Sequence, residues 1–420
     1  MASRLVCASC ARTAAPGEPR ATCACGGLYE VEHAPSALDP AHLAARRGPS
    51  GVWRFREVVD PDLDPRAVVT LGEGATPLHA AARLAAWAGV ARLELKHEGR
   101  NPTGSFKDRG MTVAVSRARA NGLRRLACAS TGNTAASLAA YAAAGGLECV
   151  VLAPAGATSH AKLTQAQAHG ARTLLVRGDF DRALALLREE AEAGALGIVN
   201  SIHPYRLEGQ KTVVLELLED LGWRAPDWIA FPAGNLGNAA AFGKALREAH
   251  AAGWIARVPR LLAVQAAGAA PFAAAFERGF DVLRPVRAET LATAIQIGAP
   301  ASYARAVRAL RETHGVAVAV SDGEILEAKA RIDAAGIGCE PASAASLAGV
   351  RALAARGELA RDAHVVCVLT GHLLKDPDTT AAWHAGELLP AAAGPRHPPT
   401  TIEATGAALR GALEGWGAGG

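Results

Sequence analysis

The stretch RRLACASTGNTAAS, residues 124–137, decides the fold. It passes from a short apolar run into a polar, glycine-bearing loop and then into alanine-rich sequence of helical length, which predicts strand, loop and helix in turn. The same succession recurs outward along the chain behind RLELK, ECVVLAP, RTLLVR, DWIAFPAG, RLLAVQA and HVVCVLTG. Strands alternating with helices, with both sheet faces covered, predict an α/β protein with mainly parallel sheets. In open α/β sheets ligands lie beyond the carboxyl ends of the strands. Here those ends carry STGNTAAS, PAGNLGNAA and TGHLLKDPD, and three such loops on one face define a site.

At 420 residues and 50% hydrophobic content, the chain can bury a full core as two domains with small appendages. A formal charge of +4 is too small to argue for a nucleic-acid or membrane surface as partner, so a small-molecule site is expected. MASRLVCASC has no apolar segment flanked by positive charge, and no run of about 18 apolar residues suggests a span. A cytoplasmic enzyme is the expectation. Four of the eight cysteines, Cys128, Cys149, Cys339 and Cys367, sit singly in apolar runs and read as buried hydrophobes.

Lys107, in GRNPTGSFKDRG, is one of only seven lysines. Asn101-Pro102 opens a turn, and Ser105 with Asp108 three residues on resembles a helix cap, so Lys107 falls in the first turn of a helix. A cation at the positive end of a helix dipole has its pKa pushed down, which raises the fraction of neutral amine. Neutral amine attacks an aldehyde and a guanidinium does not, so a lysine here fits Schiff-base chemistry; an ordinary surface lysine is the alternative. Gly234, Asn235, Leu236, Gly237 and Asn238 lie between a strand and a helix, where glycines let the backbone approach an anion at the helix's positive end. A phosphate fits there, as does a turn that only needs unusual dihedrals. Neither the P-loop nor a strand-linked G-x-G-x-x-G is present, which removes support for ATP and dinucleotides. An imine-forming lysine and a separate phosphate cradle together point to pyridoxal phosphate.

NPTGSFKDRG, STGNTAAS, GNLGN and TGH, in this order, resemble the β-family of pyridoxal-phosphate enzymes, which share the tryptophan synthase β-subunit fold (fold type II). Within it, NSIHPYRLEGQKT, LATAIQIGAPASY, GCEPASAAS and TGHLLKDPD resemble the threonine synthases, over about residues 50–380. The resemblance implies Lys107 as the Schiff-base lysine and general base, Asn133 on the cofactor's 3′-oxygen, residues 234–238 on its phosphate and Thr370 on the pyridine nitrogen. It further implies Ser130, Thr131 and Thr134 beside the substrate's anionic groups, and Asn200 and Arg206 on the phosphate of O-phospho-L-homoserine. The implied reaction is conversion of that substrate and water to L-threonine and phosphate by a homodimer. His203 and Leu373 depart from the family words, which usually have asparagine and glycine there; His203 either titrates near neutrality or serves as a neutral donor. Rival readings are a threonine or serine dehydratase, a phosphoserine-using synthase such as cysteate synthase, or a cofactor-free regulatory homologue.

Cys7, Cys10, Cys23 and Cys25 offer four soft ligands, and CGGLYEV after them resembles the zinc-ribbon-like extension of many threonine synthases. The second pair has one intervening residue instead of two, so structural zinc, a metal-free ribbon and a redox role all stay open. The expected organisation is a ribbon-like module at 1–35, a large domain from 36–95 and 201–385, a small domain at 96–200 and a loosely packed tail at 386–420.

Overall fold

The computed structural model describes residues 3–16, 22–34, 39–44, 51–155, 160–178, 180–192, 194, 196–389 and 391–414. Its strands are β1 (Arg4–Cys7), β2 (Thr13–Ala14), β3 (Tyr29–Glu32), β4 (Leu78–Ala80), β5 (Arg92–His97), β6 (Arg125–Ala129), β7 (Glu148–Pro154), β8 (Arg172–Val176), β9 (Gly197–Ile198), β10 (Trp228–Pro232), β11 (Arg260–Ala266), β12 (Val316–Val320) and β13 (His364–Leu369). A six-stranded sheet has the order β12-β11-β10-β13-β5-β4, parallel except for β4. A four-stranded parallel sheet has the order β8-β7-β6-β9. All seven apolar runs are strands.

Both sheets are covered on two faces. In β10, Ile229 and Phe231 enter one core while Trp228 and Ala230 enter the other. In β6, Leu126 and Cys128 face one way and Ala127 and Ala129 the other. A strand buried on both sides must be apolar throughout, which is why these runs lack the alternation of a half-exposed strand. Cys128, Cys149, Cys339 and Cys367 are buried in these cores as expected.

The three loops do not lie on one face of one sheet. STGN follows β6 in the small sheet, whereas GNLGN and TGH follow the neighbouring strands β10 and β13 in the large one. The site therefore lies where the carboxyl ends of two sheets meet. β12 carries VAVAV, a strand missed in the sequence because its alternation of Val and Ala has no polar phase.

β1, β2 and β3 form a separate antiparallel sheet, β2-β1-β3, around the N-terminal cysteines. The expected boundary of this module near residue 35 lies outside the described residues, as do residues 415–420 of the tail. The tail's first part is fastened, contrary to expectation: Trp383 donates Nε1–H to Pro395 O at 2.9 Å, and the Arg396 guanidinium lies 4.0 Å from the Trp383 ring centroid. Arg396 also bonds the carbonyls of Leu388 and Leu389, supplying hydrogen-bond donors that composition alone does not reveal.

Candidate active site

The helix Lys107–Ala120 begins at the lysine. Its start is tied to the end of β13, with Phe106 N–H donating to Thr370 O at 3.0 Å and Ser105 bridging Gly371. Below it, Arg109 is buried in a charged network. Its Nε donates to Glu98 at 2.7 Å and its Nη2 to Glu216 at 2.8 Å, while Lys96 donates to the same Glu216 at 2.7 Å. Every ion there is paired, as burial in low dielectric requires. Asp108 accepts from Thr103 N, Thr103 Oγ1 and Ser137 Oγ at 2.6–2.7 Å, joining the lysine's turn to the helix Asn133–Ala144. Burial nevertheless pushes Asp108 up to about 6.

Lys107 itself is half-buried; its Nζ lies 4.3 Å from the Phe106 ring centroid and makes no hydrogen bond among the described residues, while its backbone N–H donates to Ser105 Oγ at 3.4 Å. Burial, and then the nearby Arg206 guanidinium, push its pKa down to about 7, with the Glu340 carboxyl opposing them. A helix dipole acts in the same direction, and loss of water is followed by the second cation as a cause of the shift.

Arg206 lies in the short helix Pro204–Gln210, is 0% exposed, and leaves Nε, Nη1 and Nη2 without a hydrogen-bond partner among the described residues. Burial drives its pKa down to about 10. A guanidinium deprived of both water and acceptor costs free energy, and two cations facing each other cost more. Such an arrangement is complementary to an anion that binds from outside. His203, one turn before, has an unpaired Nδ1, and burial with the Arg206 charge pushes it down to about 4. It is therefore neutral at physiological pH, and the expectation of titration near neutrality is corrected by the loss of hydration.

Glycines bring the two helices together. A Cβ on Gly209 would stand 1.8 Å from Arg109 O, and one on Gly110 would stand 2.8 Å from Arg206 O. Only backbone-to-backbone contact fits. That contact sets Lys107 and Arg206 beside one site.

The Gly234–Asn238 loop leads into the helix Gly237–Ala251, with Leu236 in the left-handed region at φ 63°. The first-turn amides of Gly237, Asn238 and Ala239 find no acceptor among the described residues. Asn235 is held by Ala301 N, which donates to its Oδ1 at 2.6 Å, and by Ser201 Oγ. A Cβ on Gly237 would stand 3.3 Å from Gln210 Oε1, and that oxygen and Asn238 Oδ1 are buried without partners.

On the opposite side Thr370 Oγ1 lies 3.0 Å from Ser343 Oγ, and Asn133 Nδ2 donates to Glu340 Oε2 at 3.0 Å. Glu340 is buried, and the loss of water raises its pKa despite the Asn133 hydrogen bond. Sequence reasoning missed Glu340, although it quoted GCEPASAAS; a carboxyl directly before the proline that opens the helix Pro341–Ala355 was the available signal. It also missed Gln210, and Lys375, whose Nζ bonds Gln165 Oε1 across to the small sheet's unit.

Ser130, Thr131 and Thr134 border the loop after β6; Ser130 Oγ accepts from Gly132 N at 3.2 Å, while the two threonine hydroxyls make no bond among the described residues. Asn200 behaves differently. Its Oδ1 accepts from Ala129 N at 3.2 Å and its Nδ2 donates to Ala129 O at 3.0 Å, so its amide is spent on holding the end of β6. Leu373 packs under Gly338, where a Cβ would meet its Cδ2 at 2.7 Å.

Residues 69–371 match the family described as pyridoxal-phosphate dependent enzyme. Threonine synthases of Methanosarcina acetivorans and Methanocaldococcus jannaschii are each 44% identical, over 89% and 91% of this chain and 93% and 94% of theirs. The Mycobacterium leprae threonine synthase is 49% identical over 79% of this chain and 89% of its own. The chain belongs to the threonine synthase family of pyridoxal-phosphate dependent enzymes. The crystal structure of threonine synthase from Escherichia coli covers 98% of this chain and 100% of its own at a TM-score of 0.72, with 19% identity, and so speaks to the fold. The site fits the family's cofactor: an unpaired lysine amine, unpaired first-turn amides at a glycine cradle, and hydroxyl and amide groups opposite.

Among the described residues, the four sulfurs of Cys7, Cys10, Cys23 and Cys25 form one group with all Sγ atoms within 4.8 Å of one another. No described helix is long and apolar enough to cross a membrane.

Proposed function

We propose that this enzyme converts O-phospho-L-homoserine and water to L-threonine and phosphate, with Lys107 as its catalytic residue. The observation that carries the reading is Arg206, buried with three unpaired nitrogens beside an amine of lowered pKa. A substrate phosphate dianion satisfies that guanidinium bidentately. In this reading Lys107 holds pyridoxal phosphate, Asn133 faces its 3′-oxygen, Thr370 its pyridine nitrogen, and Gly234, Asn235, Leu236, Gly237 and Asn238 its phosphate. Ser130, Thr131 and Thr134 receive the substrate's anionic groups, and Asn200 supports them by fixing the end of β6.

The bound cofactor supplies an electron-withdrawing ring that spreads the charge released at the substrate's Cα. Lys107 Nζ, near half-neutral at pH 7, removes the proton there, removes a second at Cβ and returns one to Cγ as phosphate departs. Water then adds its oxygen at Cβ, Lys107 returns the remaining proton to Cα, and the proton water gives up goes to the phosphate. Arg206 holds the phosphate as it leaves Cγ, where negative charge grows on the departing group. A hydroxyl at Thr370, unlike a carboxylate, does not favour a protonated pyridine, which limits how much charge the ring draws. Neutral His203 beside the phosphate acts as an uncharged hydrogen-bonding group.

Phosphate release from O-phospho-L-homoserine, measured against phosphoserine and threonine, tests the reading. Release from the first alone supports it; release from phosphoserine alone, or ammonia from threonine, replaces it. Lys107→Ala abolishes turnover and absorption near ~400–430 nm; retention of both sinks the assignment.

For the N-terminal module we favour structural zinc on Cys7, Cys10, Cys23 and Cys25. Cys7 and Cys25 sulfurs lie 3.5 Å apart and those of Cys10 and Cys23 3.8 Å. A tetrahedron with Zn–S bonds of ~2.3 Å needs about 3.8 Å. Metal analysis checks this: about one zinc per chain, lost in Cys7→Ser, supports it, and below about 0.2 rejects it. A homodimer in the cytoplasm, with the large unit at 36–95 and 201–385 and the small one at 96–200, completes the reading and rests on the resemblance.

A further inference from the structure

Arg206 makes no hydrogen bond through its guanidinium among the described residues, so its helix is what carries that group to the site. That helix has a second buried charge, Glu208, two residues on and therefore about 200° around the axis, on the opposite face. Glu208 is the helix's anchor. Its Oε2 takes Lys211 Nζ at 2.6 Å and His33 Nε2 at 3.1 Å, and its Oε1 takes Lys244. Lys211 follows in the same segment, and its Nζ is also tied to Glu248 of the Gly237–Ala251 helix at 2.7 Å. The two anchors from elsewhere both lead to the N-terminal module: His33 stands just after β3, and Lys244 Nζ also bonds Val31 O within β3. His33 is itself steadied, with Nδ1 2.8 Å from Ser3 Oγ, and Ser3 N–H donating to Asp62 Oδ2 at 2.6 Å. Since a carboxylate can only accept, the His33 Nε2 must carry the proton that bonds it.

We propose that His33 is a positioning residue for substrate phosphate: by holding Glu208 on the back of the Pro204–Gln210 helix, it fixes Arg206 on the front. The proposal rests on the reading of Arg206 given above. It assigns to the cysteine-bearing module a part in the reaction, although none of its described residues is bonded to Lys107 or to Arg206's guanidinium. The module acts as a brace behind the phosphate site.

The test uses the full-length enzyme with its cofactor, and reads inorganic phosphate binding by calorimetry together with kcat and KM for O-phospho-L-homoserine. His33→Leu is expected to weaken phosphate binding and raise KM about tenfold, the effect of one charge-assisted hydrogen bond, with kcat and cofactor absorbance within about twofold. His33→Gln, which can present an N–H where Nε2 stood, is expected to restore both to within about threefold. Ser3→Ala, which only frees the ring's far side, is expected to give a smaller loss of the same kind, and serves if His33→Leu does not fold. Unchanged phosphate binding in His33→Leu or, failing that, in Ser3→Ala overturns the proposal, as does an equal fall in kcat and cofactor content, which marks general damage. Arg206→Gln separates the two levels: if phosphate binding survives it, the reading of Arg206 falls and the brace with it. If Arg206→Gln abolishes binding while His33→Leu spares it, the brace alone falls.

Discussion

Arg206→Met is expected to strengthen the ligand-free protein while removing its response to phosphate. Burial lowers the arginine's pKa to about 10, which for a fully buried group corresponds to about 3 kcal/mol against the charged form in the folded chain. Since the folded pKa stays well above 7, the group is charged at neutral pH and the penalty is present there; it is relieved only as pH rises through about 10. Methionine fills similar space without charge or unpaired N–H, so a gain of roughly 1–3 kcal/mol remains after imperfect packing. Phosphate works in the other direction, because ligand at 100 times its Kd stabilises the native protein by about 2.7 kcal/mol. Melting curves at pH 7, with phosphate exchanged for chloride at constant ionic strength, should cross: the variant melts higher without phosphate, and the parent gains with it. A variant that melts lower without phosphate, or that keeps the parent's phosphate-dependent rise, refutes the view of Arg206 as an unsatisfied anion site.

Gly209→Ala must separate two helices, since its Cβ would meet Arg109 O at 1.8 Å and that oxygen is backbone. The shift needed is about 1 Å or more, and a misplacement of that size lowers kcat/KM by about 10²-fold, measurable by phosphate release; a loss below about threefold contradicts the contact. For Lys107, with its pKa at about 7, the neutral fraction rises as pH climbs through that value. Aldehyde capture by cofactor-free protein, trapped with borohydride and read on the Lys107 peptide, should rise about tenfold between pH 6 and pH 8 and then level off. A rise that continues toward pH 10 means an ordinary lysine.

The sheets were legible because a parallel strand covered on both faces has to be apolar, and RRLACA or DWIAF permits little else. Lys107 and the Gly234–Asn238 loop could be singled out as candidates because their pattern is local: one amine at a helix start, one glycine turn before another. Asn200 was not, because its amide could serve a ligand or the chain, and only the fold reveals that Ala129 claims it. Glu340 and Gln210 stayed hidden for a related reason, since an acid or an amide gains meaning from the partners brought to it across distant segments. His203 was half legible: its identity suggested a titrating group, whereas burial and the Arg206 charge keep it neutral.

The Pro204–Gln210 helix shows how placement multiplies the role of a few residues. Gly209 lets it touch the Lys107 helix, Arg206 turns an unsatisfied charge toward the site, Gln210 reaches toward Gly237, and Glu208 fastens it behind. A helix of seven residues has little stability of its own, so these packed and charged ties must hold it. The consequence concerns the unpaired guanidinium. Any slack in the helix would let Arg206 turn toward water, lowering its energy and removing the deficit that favours a phosphate. Anchoring on the far side is therefore part of how the site recognises an anion, and the affinity for phosphate is set partly by residues that never approach it.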